Sequence, residues 1–361
     1  MTRYGIIGSG MMGQEHIRNI LLLDAATVSA FVEPDDGMAA ATLALVPRAT
    51  RCTDIAALLA RDDVDALVIA SPNHMHVGQL TEIARLRPLP VLVEKPLYTD
   101  EAQLPALREI LHGYPAPAWV AMEYRYMPPV QRFRDLAPEA TGGIRMLTIR
   151  EHRFPFLQKV GDWNRFNRNT GGTLVEKCCH FFDLMRLILE DDPVRVMASA
   201  GQAVNHRDER YGGETPDIWD HGYVIVDFAR GARALLELCM FAEGSRYQEE
   251  ISAVGPAGKI EALVPGPTRF WNFDIGPAPV PKVIVSPRHP SGPVEHDVPV
   301  DPALLKAGDH NGSTFYQHQR FLEVIRAGRK PEVTLQDGAA AVAMGRAAQQ
   351  SAATGQAVSL A

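Results

Sequence analysis

Lys95 lies where a lysine can do acid–base chemistry. It follows a continuously apolar run, residues 90–93, which predicts a short strand buried on both faces. Pro96 ends that strand because it has no N–H to donate to a neighbouring strand. Ligands of open parallel sheets bind at the carboxyl ends of the strands, where desolvation and nearby charge can lower the pKa of a lysine towards neutrality. Lys95 is therefore a candidate catalytic residue, with a salt bridge at the sheet edge as the alternative.

Glu176 and His180 form a second candidate group. They are four residues apart in a predicted helix over residues 174–189 and would share one face of it. A carboxylate one turn from an imidazole can orient the ring and stabilise its protonated form, as a general base requires. Two alternatives stay open, because Thr173-x-x-Glu176 is also a capping box and His180 can be a core histidine. Lys177 lies off this face, where it can line the pocket or pair on the surface.

The segment GSGMMG at residues 8–13 follows a predicted strand and opens a predicted helix. This is the context in which G-x-G-x-x-G binds a dinucleotide. Gly8 makes the turn, Gly10 lets the backbone approach a pyrophosphate, and Gly13 lets helix and strand pack closely. The pyrophosphate would lie on the helix N-terminus, beside Met11 and Met12.

Glu33 ends the next predicted strand, 20 residues after Gly13. A carboxylate there can accept hydrogen bonds from the ribose hydroxyls and repels a 2′-phosphate. Pro34-Asp35-Asp36 follow without an arginine, so we expect NAD rather than NADP. Further cofactor candidates lie at the ends of two other strands: Ser71, Pro72, Asn73, His76, Glu94 and Lys95.

Basic residues gather at positions 150, 153, 159, 165 and 168, with Trp163 among them. In a chain of net charge −7, this excess could mark a pocket for an anionic substrate. A solvated loop is the alternative.

The composition excludes several classes of protein. Without a basic block, a chain of net charge −7 is not expected to bind nucleic acid. No apolar run is long enough to cross a bilayer, and the first residues do not resemble a secretion signal. The four cysteines show neither a disulfide framework nor metal spacing, so we expect no metal and a cytoplasmic protein.

The elements that must position these residues fall into two regions with different sequence patterns. Apolar runs and helical patterns alternate over residues 1–122, which predicts a parallel, doubly wound Rossmann sheet. Residues 123–361 are rich in strands close together in sequence, which predicts an α+β domain on a large, mostly antiparallel open sheet. A Pro-rich stretch at 276–298 is predicted to be a surface loop or edge excursion. The C-terminal helices can pack back on the first domain.

The combined motifs resemble the glucose–fructose oxidoreductase, inositol dehydrogenase and MocA (Gfo/Idh/MocA) family. The resemblance is carried by Gly8–Gly13, Ser71-Pro72-Asn73, Glu94-Lys95-Pro96, Gly171-Gly172 and His180. It implies a Rossmann domain, a C-terminal domain whose open sheet often forms an oligomer interface, and NAD(P)-linked chemistry on sugars, sugar acids or cyclitols. The family's catalytic lysine corresponds to Lys95, and its Asp-x-Gly-x-His motif to residues 176–180. Glu176 and Cys178 replace the aspartate and the glycine.

Together, these expectations describe a soluble protein that oxidises a small carbohydrate with NAD. It is expected to form a homo-oligomer, either a dimer or a tetramer. The substrate is expected between the nicotinamide and the sheet of the second domain, with Lys95 or His180 taking the hydroxyl proton. Candidate substrate-binding residues are Lys95, Arg125, Trp163, Arg165, Arg168, Lys177 and His180. Two other functions stay open: a redox-cycling glycosidase or epimerase that keeps its NAD, and a non-catalytic NAD-binding regulator.

Overall fold

The computed structural model describes residues 1–289 and 291–360, which form two compact units. Unit 1 comprises Met1–Glu123, Gln158–Gly171 and Thr314–Val342. Unit 2 comprises Tyr124–Leu157, Gly172–Ser313 and the residues from Ala343 onward. The sequence-based boundary at 122/123 lies one residue from the first of these transitions. The sequence did not predict that residues 158–171 belong to the first unit.

Unit 1 is built on a parallel sheet of six strands in the order β3-β2-β1-β4-β5-β6, the order of a doubly wound dinucleotide-binding sheet. Its strands are β1 (Thr2–Ile7), β2 (Ala26–Val32), β3 (Thr50–Cys52), β4 (Ala66–Ile69), β5 (Val91–Val93) and β6 (Ala118–Val120). The helices between them are α1 (Met11–Ile20), α2 (Asp36–Leu45), α3 (Ile55–Leu59), α4 (His76–Leu86) and α5 (Leu104–Gly113). The predicted Rossmann sheet is confirmed.

Local sequence explains why these elements form. β4 and β5 are buried at every position, as their continuous apolar runs require. The side chains of Asp35 and Asp54 cap α2 and α3 by accepting hydrogen bonds from first-turn N–H groups.

Unit 2 is built on a sheet of nine strands in the order β14-β13-β12-β11-β7-β10-β9-β8-β15, in which only β7 and β10 pair in parallel among the described residues. The predicted large, mostly antiparallel sheet is confirmed. Its strands are β7 (Met146–His152), β8 (Pro193–Gly201), β9 (His221–Phe228), β10 (Arg233–Cys239), β11 (Glu249–Gly255), β12 (Gly258–Val264), β13 (Lys282–Pro287), β14 (Val294–Asp297) and β15 (Val358–Ser359).

The later helices of the chain are distributed over both units. They are α6 (Pro128–Thr141), α7 (Asn167–Thr170), α8 (Thr173–Glu176), α9 (Cys179–Leu189), α10 (Pro302–Ala307), α11 (Ser313–Ala327) and α12 (Leu335–Thr354). Almost all of α11 and the first part of α12 belong to unit 1. No described helix is both long enough and apolar enough to pass through a membrane.

One sequence-based prediction needs correction. The single helix over 174–189 is interrupted at Lys177 and Cys178, which separate α8 from α9. Of the two alternatives for the Pro-rich stretch 276–298, the edge excursion agrees with the structure, because the stretch contains β13 and β14, which pair with each other at one edge of the sheet; Pro290 of this stretch is outside the described residues.

Candidate functional site

The glycine loop of unit 1 has the geometry that close approach of a ligand requires. Gly8 has φ +82° and lies so close to Ser71 that a Cβ would come within 2.6 Å of its backbone. A Cβ on Gly13 would lie 2.3 Å from the Gly8 carbonyl oxygen. At Gly10, by contrast, no described atom beyond its immediate chain neighbours lies within 4 Å of the Cβ position. The open side of Gly10, at the N-terminus of α1, therefore leaves room for the phosphates of a dinucleotide.

Glu33 lies beside this loop. Its carboxylate accepts hydrogen bonds from the N–H groups of Ser9 at 2.7 Å and Asp35 at 2.9 Å, so it holds the loop in place. An arginine that the sequence argument overlooked lies next to it, because β3 pairs with β2. Arg51 donates to the carbonyl oxygens of Glu33 and Pro34 and to the Asp36 carboxylate. Residues 34–36 contain no arginine, as noted from the sequence, but Arg51 reaches the same place from β3, with its guanidinium already engaged.

The segment after β4 is fixed from inside the unit. The buried ring of His76, the first residue of α4, lies 2.9 Å from the Pro96 carbonyl oxygen and 3.0 Å from that of Ser71. Burial lowers the pKa of His76, which keeps the imidazole neutral. This favours a structural role for His76, whereas Asn73 and Pro72 stay at the carboxyl edge of the sheet.

Glu94 and Lys95 follow β5 at the same sheet edge as the glycine loop, since all six strands are parallel. Lys95 is partly exposed, and its N–H donates to Glu94 Oε2 at 3.2 Å. Glu94 Oε1 lies 2.9 Å from Nε2 of the buried His16 in α1, whose Nδ1 lies 2.8 Å from Nε2 of His318 in α11. The backbone of Lys95 is thus anchored to the buried Glu94 carboxylate. Glu94 is held in turn by His16, which contacts His318.

Electrostatic interactions shift the pKa values of the buried side chains Glu94, His16 and His318. Burial by itself would lower the pKa of His16, but the hydrogen bond to Glu94 and its negative charge raise it above the ordinary value. Burial would likewise raise the pKa of Glu94, but the His16 contact lowers it. Burial and the charge of His16 hold the pKa of His318 well below its usual range. His318 is therefore neutral, and its Nε2 shares one proton with His16 Nδ1. His16 and His318 were missed, although His16 follows the glycine motif on the buried face of α1.

The residues of the predicted basic cluster fall into different units. Arg150 and Arg153 are in unit 2, whereas Lys159, Trp163, Arg165 and Arg168 are in unit 1. The Trp163 ring lies edge-on to His74, 6.4 Å between centroids, with the Lys159 ammonium 5.4 Å from its centre. Arg165 is buried. Arg168 is exposed, and its guanidinium carbon lies over the Phe166 ring, 4.1 Å from the ring centre.

In unit 2 the helix break defines the surroundings of Glu176 and His180. Gly172 is the N-cap of α8, and the Thr173 hydroxyl donates to the Trp219 carbonyl oxygen at 2.7 Å. The capping-box alternative for Glu176 was therefore wrong. Glu176 and His180 are both buried, and the His180 ring stacks on Tyr124 with centroids 4.1 Å apart and planes 7° apart.

Two further candidates of unit 2 are engaged in buried ion pairs. Arg125 makes a two-point ion pair with Asp183, with Nε 2.5 Å from Oδ2 and Nη2 bonded to Oδ1. Lys177 is also buried, with its ammonium 2.8 Å from Glu151 and 2.6 Å from the Tyr124 hydroxyl. Surface pairing of Lys177 is excluded, and the arrangement favours structural roles for both cations.

Glu151 pairs in register with Glu249 on the neighbouring strand, and both carboxyl groups are buried. Burial and the neighbouring Glu151 charge raise the pKa of Glu249 to about 7. This pair was not predicted from the sequence. The alternation of side chains along each strand could have indicated that both carboxylates are buried. Glu151 lies on the same face of its strand as the buried Leu147 and Ile149, and Glu249 lies on the same face as the buried Ile251.

Comparison with known proteins identifies the family. Residues 2–121 match the family described as "Oxidoreductase family, NAD-binding Rossmann fold", and residues 139–360 match "Oxidoreductase family, C-terminal alpha/beta domain", both of the GFO_IDH_MocA group. The chain belongs to the Gfo/Idh/MocA oxidoreductases. The resemblance inferred from the motifs is confirmed, and with it the NAD-binding Rossmann domain.

Curated relatives and solved structures agree with this assignment. The chain is 25% identical over 262 residues to "Inositol 2-dehydrogenase" of Rhizobium meliloti, covering 72% of this chain and 75% of that protein. It is 23% identical over 242 residues to "Rhizopine catabolism protein MocA" of Rhizobium meliloti, covering 66% and 72%. In fold it is similar to the myo-inositol dehydrogenase of Corynebacterium glutamicum, with a TM-score of 0.77 and 21% identity over 100% of this chain and 99% of that one. It is also similar to GenD2 from gentamicin A biosynthesis, solved with NAD, with a TM-score of 0.79 and 21% identity over 100% and 96%.

Proposed function

We propose that this oxidoreductase is an NAD-dependent dehydrogenase that oxidises a hydroxyl carbon of a cyclic polyol or sugar. The observation that carries the proposal is the position of Lys95, at the carboxyl end of β5 in the sheet whose β1 leads into the glycine loop. Ligands of such sheets bind at this edge. The names of the inositol dehydrogenase relatives support a cyclitol or sugar as substrate.

NAD is the cofactor that the loop fits, because Gly10 leaves its side of the α1 N-terminus open and Glu33 places a carboxylate at the end of β2. Arg51 does not oppose this choice, since its guanidinium already donates to two carbonyl oxygens and to Asp36. When bound, NAD supplies the acceptor for the hydride that leaves the hydroxyl carbon.

The chain must supply a group that takes the hydroxyl proton, and Lys95 and His180 are the two candidates. The Glu94–His16 contact fixes the backbone that carries Lys95, and the stack on Tyr124 fixes the plane of the His180 ring. Glu176, four residues before His180, is the candidate for stabilising the protonated imidazole. Trp163, Arg165 and Arg168 stay candidates for substrate contacts, and an anionic sugar would suit the two arginines.

A screen for NADH formation tests this proposal. The purified protein is given NAD with inositols, neutral sugars, sugar acids, and phosphorylated or sulfonated sugars, and absorbance at the NADH band is followed. Lys95→Ala and His180→Ala should each lower kcat by about 10²–10⁴-fold while NAD affinity is kept. Lys330→Ala and His112→Ala, both at exposed positions, are the matched controls.

The outcomes separate the candidate functions. Net NADH formation that needs Lys95 or His180 supports the dehydrogenase. Turnover of a sugar without net NADH, by protein that is purified with NAD bound, would instead show redox cycling. Near-full turnover of both variants would refute the roles of Lys95 and His180.

We also propose that a second copy of the chain covers the open face of the unit 2 sheet. Large apolar side chains from three strands are exposed on it, among them Met146, Tyr223, Ile225 and Val254. Such a surface is unusual for a monomer and suits a homodimer or a tetramer.

A further inference from the structure

A continuous chain of buried side chains in unit 2 ends on the His180 ring. It begins at Glu151 on β7, whose carboxylate lies 2.8 Å from the Lys177 ammonium in the turn between α8 and α9. Both side chains are at least 95% buried. A buried ammonium is held where its partners are, so Glu151 limits where Lys177 can lie.

Lys177 in turn fixes a tyrosine. Its ammonium donates a hydrogen bond to the Tyr124 hydroxyl at 2.6 Å, and Tyr124 is 2% exposed. A charge-assisted hydrogen bond of this kind is short and strong, and it holds the hydroxyl end of the ring. The Tyr124 ring can then neither tilt nor slide without breaking it.

The tyrosine ring supports the histidine. Tyr124 and His180 stack almost in parallel, with centroids 4.1 Å apart. The next residue after Tyr124, Arg125, makes its two-point ion pair with Asp183, which lies on α9 one turn after His180. The stack is therefore flanked by a second link between the same two segments. An aromatic face also attracts a protonated imidazole.

We propose that Tyr124 and Lys177 are positioning residues for His180, which hold the plane of its imidazole ready for proton transfer. The inference rests on the proposed function of His180. A histidine ring turns easily about its last torsion angle, and reacting groups must be aligned to within fractions of an ångström. Lys177 occupies a position that the Asp-x-Gly-x-His pattern leaves unspecified and Tyr124 lies outside the pattern, and the two side chains meet only through the fold.

The first test compares Tyr124→Phe with Tyr124→Leu. Phenylalanine keeps the stacked ring and loses the hydroxyl, whereas leucine removes the ring. Proton–nitrogen NMR spectra of the histidine rings, with the His180 signals assigned from their loss in His180→Asn, report the stack independently of any activity. We expect the upfield ring-current shift of His180 to persist in Tyr124→Phe and to disappear in Tyr124→Leu.

Kinetics follow with NAD and myo-inositol, or whichever compound of the screen reduces NAD fastest. Tyr124→Leu should lower kcat by about 10²-fold, with the KM for NAD unchanged, because misplacement of the ring by about 1 Å has an effect of that size. Tyr124→Phe should have a kcat between those of wild type and Tyr124→Leu, because it keeps the stacked ring but frees it from Lys177. Tyr211→Leu, in a turn of the same unit where the phenol donates to Glu209, is the matched control and should keep wild-type turnover.

Lys177 needs a variant that can fold. Lys177→Met alone would remove the ammonium 2.8 Å from the buried Glu151 carboxylate and leave Arg153, at 3.8 Å, as the nearby cation, which is destabilising. The double variant Lys177→Met with Glu151→Gln removes both charges together. It should fold, move the His180 signals and lower kcat in the same direction as Tyr124→Leu.

Two results would overturn the inference, and they differ. If His180→Ala is inactive while Tyr124→Leu turns over like wild type, the positioning role is wrong and the proposed function stands. If His180→Ala itself turns over normally, the proposed function of His180 is wrong, and the role of Tyr124 falls with it.

Discussion

The buried pair Glu151 and Glu249 predicts a dependence of stability on pH. The pKa of Glu249 is raised from its ordinary 4.5 to about 7 by burial and by the Glu151 charge. Between these two values the folded protein keeps a proton that the unfolded chain has lost. The free energy of unfolding therefore falls as pH rises through this window, by about 3 kcal/mol in total at about 1.4 kcal/mol per pKa unit. Below pH 4.5 the contribution is fully present.

Glu249→Gln removes this proton equilibrium with little change of shape. The amide keeps the oxygen that accepts the hydrogen bond from Gln248 at 2.6 Å. Its NH₂ replaces Oε2, which has no hydrogen-bond partner in the described part of the chain, and any cost of that change is the same at every pH. The stability difference between variant and wild type should therefore shift in favour of the variant by roughly 2–3 kcal/mol from pH 5 to pH 8.

Urea unfolding at pH 5 and pH 8, with tryptophan fluorescence as the probe, measures this double difference. The denaturant slope must match between the two proteins at each pH for the comparison to hold. Glu250→Gln, at the next position of the strand and on its more exposed face, is the control and should show no such shift. A Glu249→Gln difference that is the same at both pH values would refute the raised pKa and the picture of a protonated buried carboxyl.

Three other predictions concern the cofactor loop, a buried ion pair and the open sheet face. Gly13→Ala should lower Tm, since its Cβ would meet the loop backbone at 2.3 Å, whereas Gly10→Ala should keep Tm and lower NAD affinity in calorimetry. Asp183→Asn should destabilise the protein by about 3–5 kcal/mol in urea unfolding because it leaves the Arg125 charge buried; wild-type stability would contradict this. Tyr223→Glu should convert the proposed dimer or tetramer to monomers in analytical ultracentrifugation, and an unchanged mass would place the interface elsewhere.

Local patterns were enough to predict the parallel sheet of unit 1 and five of its six strands; the short β3 (Thr50–Cys52), which is not an apolar run, was missed. Its buried strands are short apolar runs, and α2 and α3 begin at aspartate caps, so much of the strand–helix alternation can be seen directly in the sequence. The helix α6 was missed, although Pro128 and Pro129 at its start and Gly142 at its end are typical helix boundaries. Strand β12 was missed as well, even though it alternates between buried and less buried positions.

The surroundings of the candidate site could not be predicted in the same way. Glu151 and Glu249 are 98 residues apart and meet because β7 and β11 pair in one particular register. Arg51 reaches the end of β2 only because the short β3 lies beside it. His16 and His318 meet across 302 residues. Each of these contacts depends on topology, which a local pattern does not contain, whereas Lys95 and the glycine loop depend on their own neighbours in sequence.

The cofactor-binding unit is assembled from three separate stretches of chain, and this bears on how the protein is made in the cell. Phe321 of α11 is fully buried and packs against Tyr4 and Trp119, and the Val120 N–H donates to the Val333 carbonyl oxygen. A ribosome that has finished residue 123 must still add about 200 residues before these partners exist, about 10–40 s at ordinary rates. During that interval the nascent Rossmann sheet exposes an apolar face. The N-terminal domain therefore completes its folding late in translation. Until then, the exposed apolar face of its strands is a surface to which a chaperone can bind.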